Sequence, residues 1–268
     1  MKLTIITINK NNNNGLQKTI ASVITQTFQD YEYIVIDGVS TDGSVDIIKQ
    51  YEDKITYWIS EPDKGIYNAM NKGILQAKGE YCLFLNSGDY FVNKDILRQI
   101  FSYDFSEDIV FGDLKLVKND KVVHETVYPD KITFEFFFYS SLAHPASLIK
   151  RELFVKYGLY NEKNKIVSDW EFFLIMFGRY NASYRHLSLF ISCFDTTGVS
   201  SVIENQEKLN EERANILKKE FSFFYEDYCN LQQKTYYYNV IHNRRIADRI
   251  KDLILYLIRG KNVDKRYF

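Results

Sequence analysis

Short apolar segments alternate with helical patterns four times within the first hundred residues, and this alternation restricts the fold more than any other feature. Each segment is rich in β-branched or aromatic residues, and a polar turn follows it. Parallel strands need a crossover connection, so the alternation predicts an α/β fold with a parallel sheet and helices on its faces. The predicted strands are Leu3–Ile8, Tyr33–Ile36, Ile55–Ile59 and Tyr81–Leu85.

Apolar residues at helical spacing lie between these strands. The second predicted helix carries Val45, Ile47 and Ile48, and either Ser40 or Thr41 is expected to cap its N-terminus. The apolar positions of the first and third helices are Leu16, Ile20, Val23 and Ile24, and then Ile66, Ala69, Met70, Gly73, Ile74 and Ala77.

The pattern changes after residue 105. Ile109–Phe111 reads as a further strand, and Asp113–Val127 alternates around Asn119 and Asp120, which predicts a hairpin. Residues 131–192 mix short helices with strands, and the chain is helical in pattern from Glu204 onward. We therefore expect a main domain over residues 1–200 and a C-terminal helical extension over residues 201–268.

Charge and cysteine content narrow the function. The 268 residues carry 34 Lys or Arg and 35 Asp or Glu, a net charge of −1, which gives no electrostatic case for nucleic-acid binding. The three cysteines are far apart and suggest neither a disulfide framework nor a zinc site, so we expect a cytoplasmic location. The first ten residues are too polar for a signal peptide, and no run of roughly 18 apolar residues predicts a membrane span.

Polar residues follow each predicted strand directly. In a parallel sheet, ligands bind at the carboxyl ends of the strands, where these loops come together. The polar residues concerned are Asn9, Asp37, Glu61 to Lys64, and Asn86 to Asp89.

A series of short motifs in one order resembles a known family. The segments are TIITINKN, SVITQTFQDYEYIVIDGVSTDGS, EPDKGIYNAMNKGILQAKGEYCLFLNSGD, HPASLIKRELFVKYGLYNE and SDWEFF. They resemble the family 2 inverting glycosyltransferases with the GT-A fold, of the type that builds bacterial capsule and exopolysaccharide. The resemblance covers roughly residues 1–200. It implies transfer of a sugar from a nucleotide-diphosphate sugar, with a UDP-sugar as the first expectation, to a hydroxyl of a saccharide, which is expected to be lipid-linked.

The same resemblance implies a divalent cation, Mn²⁺ or Mg²⁺, held by Asp89. In the family this strand ends in a D-x-D motif, whereas here Asn86 and Gly88 replace two of the acids. Asn86 and Ser87 are expected beside the donor. The alternative for Asp89 is a cap on a helix over residues 93–101.

Five further residues are implied to shape the donor site. Asp37 stands at the family's second-strand acid, followed by Gly38 where many members have a second acid; turn chemistry is its alternative. Thr7 and Asn9 could contact the base or ribose, or could simply end their strand. The loop after the third strand adds Asp63 for the ribose or base and Lys64 for the diphosphate.

An acidic pair in SDWEFF is the other implied chemical group. By resemblance Asp169 is the base that takes the proton of the acceptor hydroxyl, while Glu171, two positions on, points elsewhere if the stretch is helical. Capping of the helix by Ser168 or Asp169 is the alternative. His144 could bond the acceptor or a phosphate, or it could be structural.

The C-terminal segment, residues 240–268, is basic and amphipathic. It holds eight Lys or Arg and three Asp beside an apolar face from Ile246 to Ile258. This pattern fits contact with the anionic inner face of a membrane, and it equally fits packing on the protein's own domain or on a dimer partner.

Two rival functions stay open. They are a non-catalytic nucleotide-sugar binder and a sugar nucleotidyltransferase. A dehydrogenase ranks lower, because no G-x-G-x-x-G follows the first strand.

Overall fold

A computed structural model describes residues 1–197 and 206–242 of the chain. Contacts divide the chain into two compact units, Met1–Gln206 and Glu207–Phe268. The expected assignment of residues 1–200 to catalysis and residues 201–268 to an extension stays a prediction.

The first unit is built on a sheet whose strands come from the whole length of that unit. Within the described residues the strands are β1 (Leu3–Asn9), β2 (Tyr31–Asp37), β3 (Tyr57–Ser60), β4 (Tyr81–Phe84), β5 (Tyr90–Phe91), β6 (Ile109–Lys118), β7 (Lys121–Thr126), β8 (Ser147–Lys150) and β9 (Tyr184–Asp195).

The strand order is β3-β2-β1-β4-β8-β6-β9-β5, with β7 paired to β6. The first four strands pair in parallel, as the alternating pattern predicted. The register sets Asn9 beside Asp37, and Asp37 beside Ser60, so the polar strand ends meet at one edge of the sheet. The long strand β9 also runs parallel to β6 and brings its own C-terminal residue, Asp195, to the far end of that pairing.

Helices cover the sheet and connect its strands. In the first unit they are α1 (Asn13–Ile24), α2 (Ser44–Gln50), α3 (Ile66–Gln76), α4 (Ile96–Ile100), α5 (Phe134–Tyr139), α6 (Arg151–Tyr157) and α7 (Ser168–Gly178), with short 3₁₀ turns at Glu52–Lys54 and His144–Ala146.

The core lies between the helices and the parallel strands. Every residue of β1 and β4 is buried, which matches their nearly continuous apolar runs. α3 approaches β1 so closely that a side-chain carbon on Gly73 would lie 2.5 Å from Ile6 Cγ2. Burial of each large apolar side chain here contributes about 1.5–3 kcal/mol, and this packing fixes the strand ends relative to α3.

Two local predictions, the hairpin and the cap of α2, have different outcomes. The hairpin is confirmed, since β6 and β7 join through Asn119 and Asp120, which have φ values of 50° and 61°. The predicted cap of α2 is wrong, because Gly43 holds the N-cap position without a side-chain bond. The Ser40 hydroxyl instead donates to Asp37 Oδ1 at 2.6 Å. A hydrogen bond to this buried carboxylate is stronger than the neutral bond that a helix cap would offer.

The second unit is helical where it is described. It contains α8 (Gln206–Glu220) and α9 (Ser222–His242), in agreement with the pattern after Glu204. Among the described residues, no helix combines the length and the apolar character needed to cross a bilayer. The predicted basic amphipathic segment, with its apolar face from Ile246 to Ile258, lies outside the described residues.

Candidate active site

A cavity of about 590 Å³ opens at the carboxyl ends of β1 and β4. The N-terminal residues of α3 and α7 and the end of β9 form its other walls. The polar residues that line it are Asn9, Lys10, Asn12, Asp63, Asn86, Ser87, Asp89, His144, Lys165, Asp169, Asp195 and Thr197.

The loop after β4 is held in place by α1. The Thr19 hydroxyl donates to the Asp89 carbonyl oxygen at 2.7 Å and accepts the Gly88 N–H at 3.0 Å. The Asn12 amide donates to the Ser87 carbonyl oxygen at 2.9 Å. Gly88 has a φ of 108°, a conformation that side chains rarely adopt, which explains a glycine at the point where the chain turns back.

Asp89 is a buried carboxylate on the cavity wall. Its Oδ1 accepts the Asp195 N–H at 3.0 Å. Burial raises the pKa of the Asp89 carboxyl to about 7; the His144 ring and the Asp195 N–H oppose this rise, and the nearby Asp195 charge adds to it. The capping alternative for Asp89 is wrong, because α4 begins at Ile96 with Asp95 at its N-cap.

The oxygen atoms around Asp89 suit a hard divalent cation. Asp89 and Asp195 supply two carboxylates to one cavity wall, and Asn86 Oδ1 is buried without a hydrogen-bond partner among the described residues. Over residues 1–197 and 206–242, no group of three His, Cys, Asp or Glu is arranged to hold a metal. Two carboxylates and an amide oxygen are donors of the kind that Mg²⁺ or Mn²⁺ takes, since such an ion uses one or two carboxylates and fills its other positions with ligand oxygens.

Asp169 is the other acid on the cavity wall, on the first turn of α7. Its Oδ2 lies 3.0 Å from His144 Nδ1, and its Oδ1 lies 2.9 Å from the Tyr67 hydroxyl. Burial raises the pKa of Asp169, but hydrogen bonds from His144, Tyr67 and the Trp170 N–H outweigh burial and leave that pKa below its ordinary value. The arrangement keeps an ionised carboxylate ready to accept a proton inside the cavity.

The capping alternative for this helix is wrong. The N-cap position of α7 belongs to Val167, which makes no side-chain cap bond, and both Ser168 and Asp169 lie inside the helix. Glu171 turns away from the cavity, as predicted. Its Oε2 accepts the Asn161 and Asn164 amides at 3.1 Å and 2.6 Å.

Hydrogen bonds from α3 hold the segment before α7, residues 160–166, in place. From α3, the Asn71 amide donates to the Tyr160 carbonyl oxygen at 2.9 Å and to Glu162 at 3.0 Å, and the Asn68 amide donates to Glu162 at 3.0 Å. The Tyr67 hydroxyl lies 2.6 Å from the Ile166 carbonyl oxygen. The segment thereby brings residues 165 and 166 to the cavity wall.

The ends of β1, β2 and β3 are tied together by Asp37. Its carboxylate accepts the Asn9 amide at 2.9 Å and the Ser60 hydroxyl at 2.6 Å, besides the Ser40 hydroxyl and N–H. Burial raises the pKa of Asp37, but the Ser40, Ser60 and Asn9 donors outweigh burial and lower that pKa overall. Asn9 Oδ1 is left buried with no partner among the described residues, on a side chain that lines the cavity.

Asp63 reaches the same corner from the loop after β3. Its Oδ1 accepts the Gly65 N–H at 2.9 Å, and its Oδ2 lies in the space that a side chain on Gly38 would occupy. The carboxylate thus stands where a second acid after Asp37 would have placed its first carbon. Lys72 braces this loop through an ion pair with Glu61 at 2.9 Å and a bond to the Pro62 carbonyl oxygen at 2.8 Å.

The predicted site residues fall into two groups. The cavity brings together six of them, namely Asn9, Asp63, Asn86, Ser87, Asp89 and Asp169. Thr7 lies beneath the edge and donates to the Leu85 carbonyl oxygen at 2.7 Å, while Asp37 is buried at the strand ends and Lys64 is absent from the cavity lining. The roles proposed for all nine stay predictions.

Sequence reasoning gave no role to several polar residues that line this cavity, and Asn12, Tyr67 and Asp195 are the ones whose contacts shape the site most directly. Asn12 sits in a run of four identical residues that conceals its position before α1. Tyr67 was passed over among the apolar residues of α3, and its partner Asp169 lies 102 positions away. Asp195 follows a strand, the same signal that identified Asp89, and that signal could have found it.

Comparisons with known proteins agree with this geometry. The sequence matches the model of the family described as glycosyl transferase family 2 over residues 4–158. It is 36% identical over 211 residues to a protein described as the uncharacterized glycosyltransferase MT1564 of Mycobacterium tuberculosis (strain CDC 1551 / Oshkosh), covering 74% of this chain and 77% of that protein.

Two solved structures share the fold. TarS residues 1–349 of S. aureus in complex with UDP superposes with a TM-score of 0.62 at 23% identity, covering 73% of this chain and 60% of that one. The mannosyltransferase PcManGT of Pyrobaculum calidifontis in complex with GDP-Man and Mn²⁺ gives 0.56 at 14% identity, covering 82% and 63%. The chain spans less than two thirds of either solved chain. The two superpositions confirm the GT-A-like α/β architecture.

Proposed function

This chain belongs to glycosyl transferase family 2 and is a glycosyltransferase, and from that premise we propose that it inverts the anomeric centre of the sugar that it transfers. The donor is a nucleotide-diphosphate sugar, with a UDP-sugar as the leading candidate. The acceptor is a hydroxyl of a saccharide carried on a lipid, in the synthesis of a surface polysaccharide.

One observation carries the proposal. Asp89 and Asp169 line the same cavity, yet their surroundings move their pKa values in opposite directions. Two acids separated in this way suit two different tasks in one reaction. Asp169, held ionised, suits the acceptance of a proton, whereas a buried Asp89 is stabilised as an anion when a positive charge comes next to it.

In the proposed mechanism Asp169 is the general base. An inverting transfer needs the acceptor oxygen to attack from the face opposite the departing nucleotide, and its proton must leave as the new bond forms. The Asp169 carboxylate receives that proton, and the Tyr67 hydroxyl and His144 ring hold the carboxylate in place beforehand. Such positioned base catalysis contributes roughly 10²- to 10⁴-fold in rate, and alignment of the two substrates supplies much of the remainder.

Asp89 would hold the divalent cation, with Asp195 and Asn86 Oδ1 as the adjacent oxygen donors. When bound, such an ion neutralises the negative charge that collects on the leaving diphosphate. The proposal is supported by the all-oxygen donor set and by the unpartnered Asn86 Oδ1. The complex of the PcManGT fold relative with GDP-Man and Mn²⁺ is in keeping with it.

The corner formed by Asn9 and Asp63 would hold the nucleoside. Asn9 Oδ1 is an acceptor without a partner among the described residues, and Asp63 offers a carboxylate where Gly38 leaves room. Asp37 shapes this corner through its bond to Asn9, with Thr7 beneath it. Lys64 and Ser87 would approach the diphosphate. The TarS structure contains UDP, which favours UDP as the first nucleotide to test.

A lipid-linked acceptor would place the enzyme in the cytoplasm at the inner face of the membrane. Residues 240–268 carry the basic charge suited to peripheral contact with anionic lipid. A homodimer contact through the same residues is the other use that we propose for them.

Two measurements on the native protein test the proposed function. Thermal shift with UDP, GDP and dTDP, each with and without Mn²⁺, should show stabilisation that depends on both nucleotide and metal. Release of the nucleoside diphosphate from the matching sugar donors should then report turnover. Tight nucleotide binding without turnover of any donor would contradict the proposal and favour a non-catalytic binder.

A further inference from the structure

The His144 ring connects the two sides of the cavity. Its Nδ1 lies 3.0 Å from Asp169 Oδ2, and its Nε2 lies 3.0 Å from Asn86 Nδ2. With the Tyr67 hydroxyl on Asp169 Oδ1, the contacts form an unbroken series from α3 through α7 to the loop that carries Asp89. Both ring nitrogens are thus engaged.

The backbone around His144 is fixed independently of this series. The residue begins the 3₁₀ turn His144–Ala146, which the Ala146 N–H closes on the Ala143 carbonyl oxygen at 3.0 Å. The Ser147 hydroxyl donates to the same carbonyl at 2.8 Å, and the Ser192 hydroxyl donates to the Pro145 carbonyl oxygen at 2.6 Å. These bonds set the backbone position from which the His144 ring reaches its two partners.

Hydrogen-bond chemistry then selects one form of the ring. A carboxylate only accepts, so Nδ1 must carry a proton to bond with Asp169. An amide nitrogen only donates, so Nε2 must be bare to accept from Asn86. A ring with its proton on Nδ1 and a bare Nε2 satisfies both contacts, and it leaves Asn86 Oδ1 free for a partner from outside the protein.

The alternative form reverses these relations. A ring that carries its proton on Nε2 would require the Asn86 amide to turn over and present Oδ1 to His144. The oxygen would then be withdrawn, and the amide nitrogen, which cannot bind a cation, would take its place. The orientation of Asn86 and the proton on His144 are therefore linked.

We propose that His144 is a positioning residue: its Nδ1–H orients Asp169, and its Nε2 fixes the Asn86 amide so that Oδ1 is directed to the donor side. The inference rests on the proposed role of Asp169 as the base. It gives His144 no contact with either substrate. It also explains why a neutral Asn stands at position 86, since a carboxylate there could not donate to Nε2.

Substitutions that keep one contact each test the positioning in activity. The amide nitrogen of His144→Asn can occupy the place of Nδ1, whereas His144→Gln carries its amide near the place of Nε2. We expect His144→Ala and His144→Gln to lose roughly 10- to 100-fold in kcat, with a smaller loss in His144→Asn. His144→Gln keeps the contact with Asn86 and should hold the donor KM within about twofold of native, whereas His144→Ala and His144→Asn release the Asn86 amide and should raise the donor KM. A native circular dichroism spectrum and a cooperative thermal unfolding transition would show that each variant is folded.

Nuclear magnetic resonance tests the ring itself, without turnover. Long-range ¹H–¹⁵N spectra distinguish the two neutral tautomers from the charged ring, and comparison with His144→Gln assigns the signal among the four histidines. We expect the Nδ1–H tautomer in the native protein and a loss of that preference in Asn86→Ala. An Nε2–H tautomer in the native protein would overturn the inference.

The outcomes separate this inference from the proposed function. A native kcat in His144→Ala, together with lost transfer in Asp169→Asn, would overturn the positioning role and leave the base in place. Native transfer in Asp169→Asn would instead remove the base on which the inference rests.

Discussion

The Asp195 N–H donates a hydrogen bond of 3.0 Å to Asp89 Oδ1, and this bond joins the end of β9 to the loop after β4. The two residues are 106 positions apart, and both line the cavity. Asp195 Oδ1 also accepts the Thr197 N–H at 2.9 Å and the Thr197 hydroxyl at 2.8 Å, which fixes its carboxylate. The second carboxylate beside Asp89 thus comes from a distant strand.

Asp195→Asn should weaken the binding of Mn²⁺ at the donor site. The substitution keeps the backbone N–H that bonds Asp89 but removes one negative charge from the proposed cation site. We expect the Mn²⁺ concentration for half-maximal stabilisation by UDP to rise roughly 10- to 100-fold, as measured by thermal shift. Asp104→Asn, at an exposed position outside the cavity, is the control. An unchanged Mn²⁺ requirement in Asp195→Asn would remove Asp195 from the site.

The sequence predicted the first parallel strands, and the polar residues that follow them, better than it predicted the rest of the cavity. β1, β2 and β4 are buried runs that end in polar residues, so strand ends such as Asn9 and Asp89 could be read directly. Contacts set by long-range packing could not be. The β9 register that brings Asp195 to Asp89, and the approach of Tyr67 to Asp169, depend on how distant segments pack. Ser40 was misread because a local capping rule ignored the buried Asp37 beside it.

Gly38→Ala should weaken nucleotide binding without unfolding the protein. The added methyl group overlaps with Asp63 Oδ2, the end of a side chain that can turn aside, so the expected loss of stability is small, about 1 kcal/mol or less. Displaced Asp63 would lose its proposed contact with the nucleoside, which isothermal titration with UDP and Mn²⁺ would register as weaker binding.

A double-mutant cycle supplies the control for this prediction. In an Asp63→Ala background the same Gly38→Ala change should have much less effect on UDP affinity, because the overlapping Asp63 carboxylate has been removed and Lys10 Cδ, at 3.3 Å, is the remaining near contact. Equal effects of Gly38→Ala in both backgrounds would show that position 38 acts independently of Asp63.

Tyr67→Phe should move the acid limb of the pH–rate profile to higher pH. The Tyr67 hydroxyl is one of the donors that lower the pKa of Asp169, so its removal raises that pKa. A base must be ionised to act, and kcat/KM falls as pH drops through the pKa of the base. The variant should therefore lose activity at a higher pH than the native enzyme does, while activity at high pH changes less.

A pair of profiles measured over the acid range decides this point. Tyr160→Phe is the matched control, since the Tyr160 hydroxyl is buried with no bond to Asp169. If the acid limbs of Tyr67→Phe and the native enzyme coincided, Tyr67 would have no part in setting the protonation of the base.

The most direct test of the account compares Asp169→Asn with the native enzyme for donor binding and for sugar transfer. The amide fills the same space but cannot accept the proton of the acceptor hydroxyl. We predict that UDP binding with Mn²⁺ stays within about twofold of native, while kcat falls by roughly 10²- to 10⁴-fold. Transfer at the native rate by Asp169→Asn would contradict the assignment of the base and, with it, the mechanism proposed for this cavity.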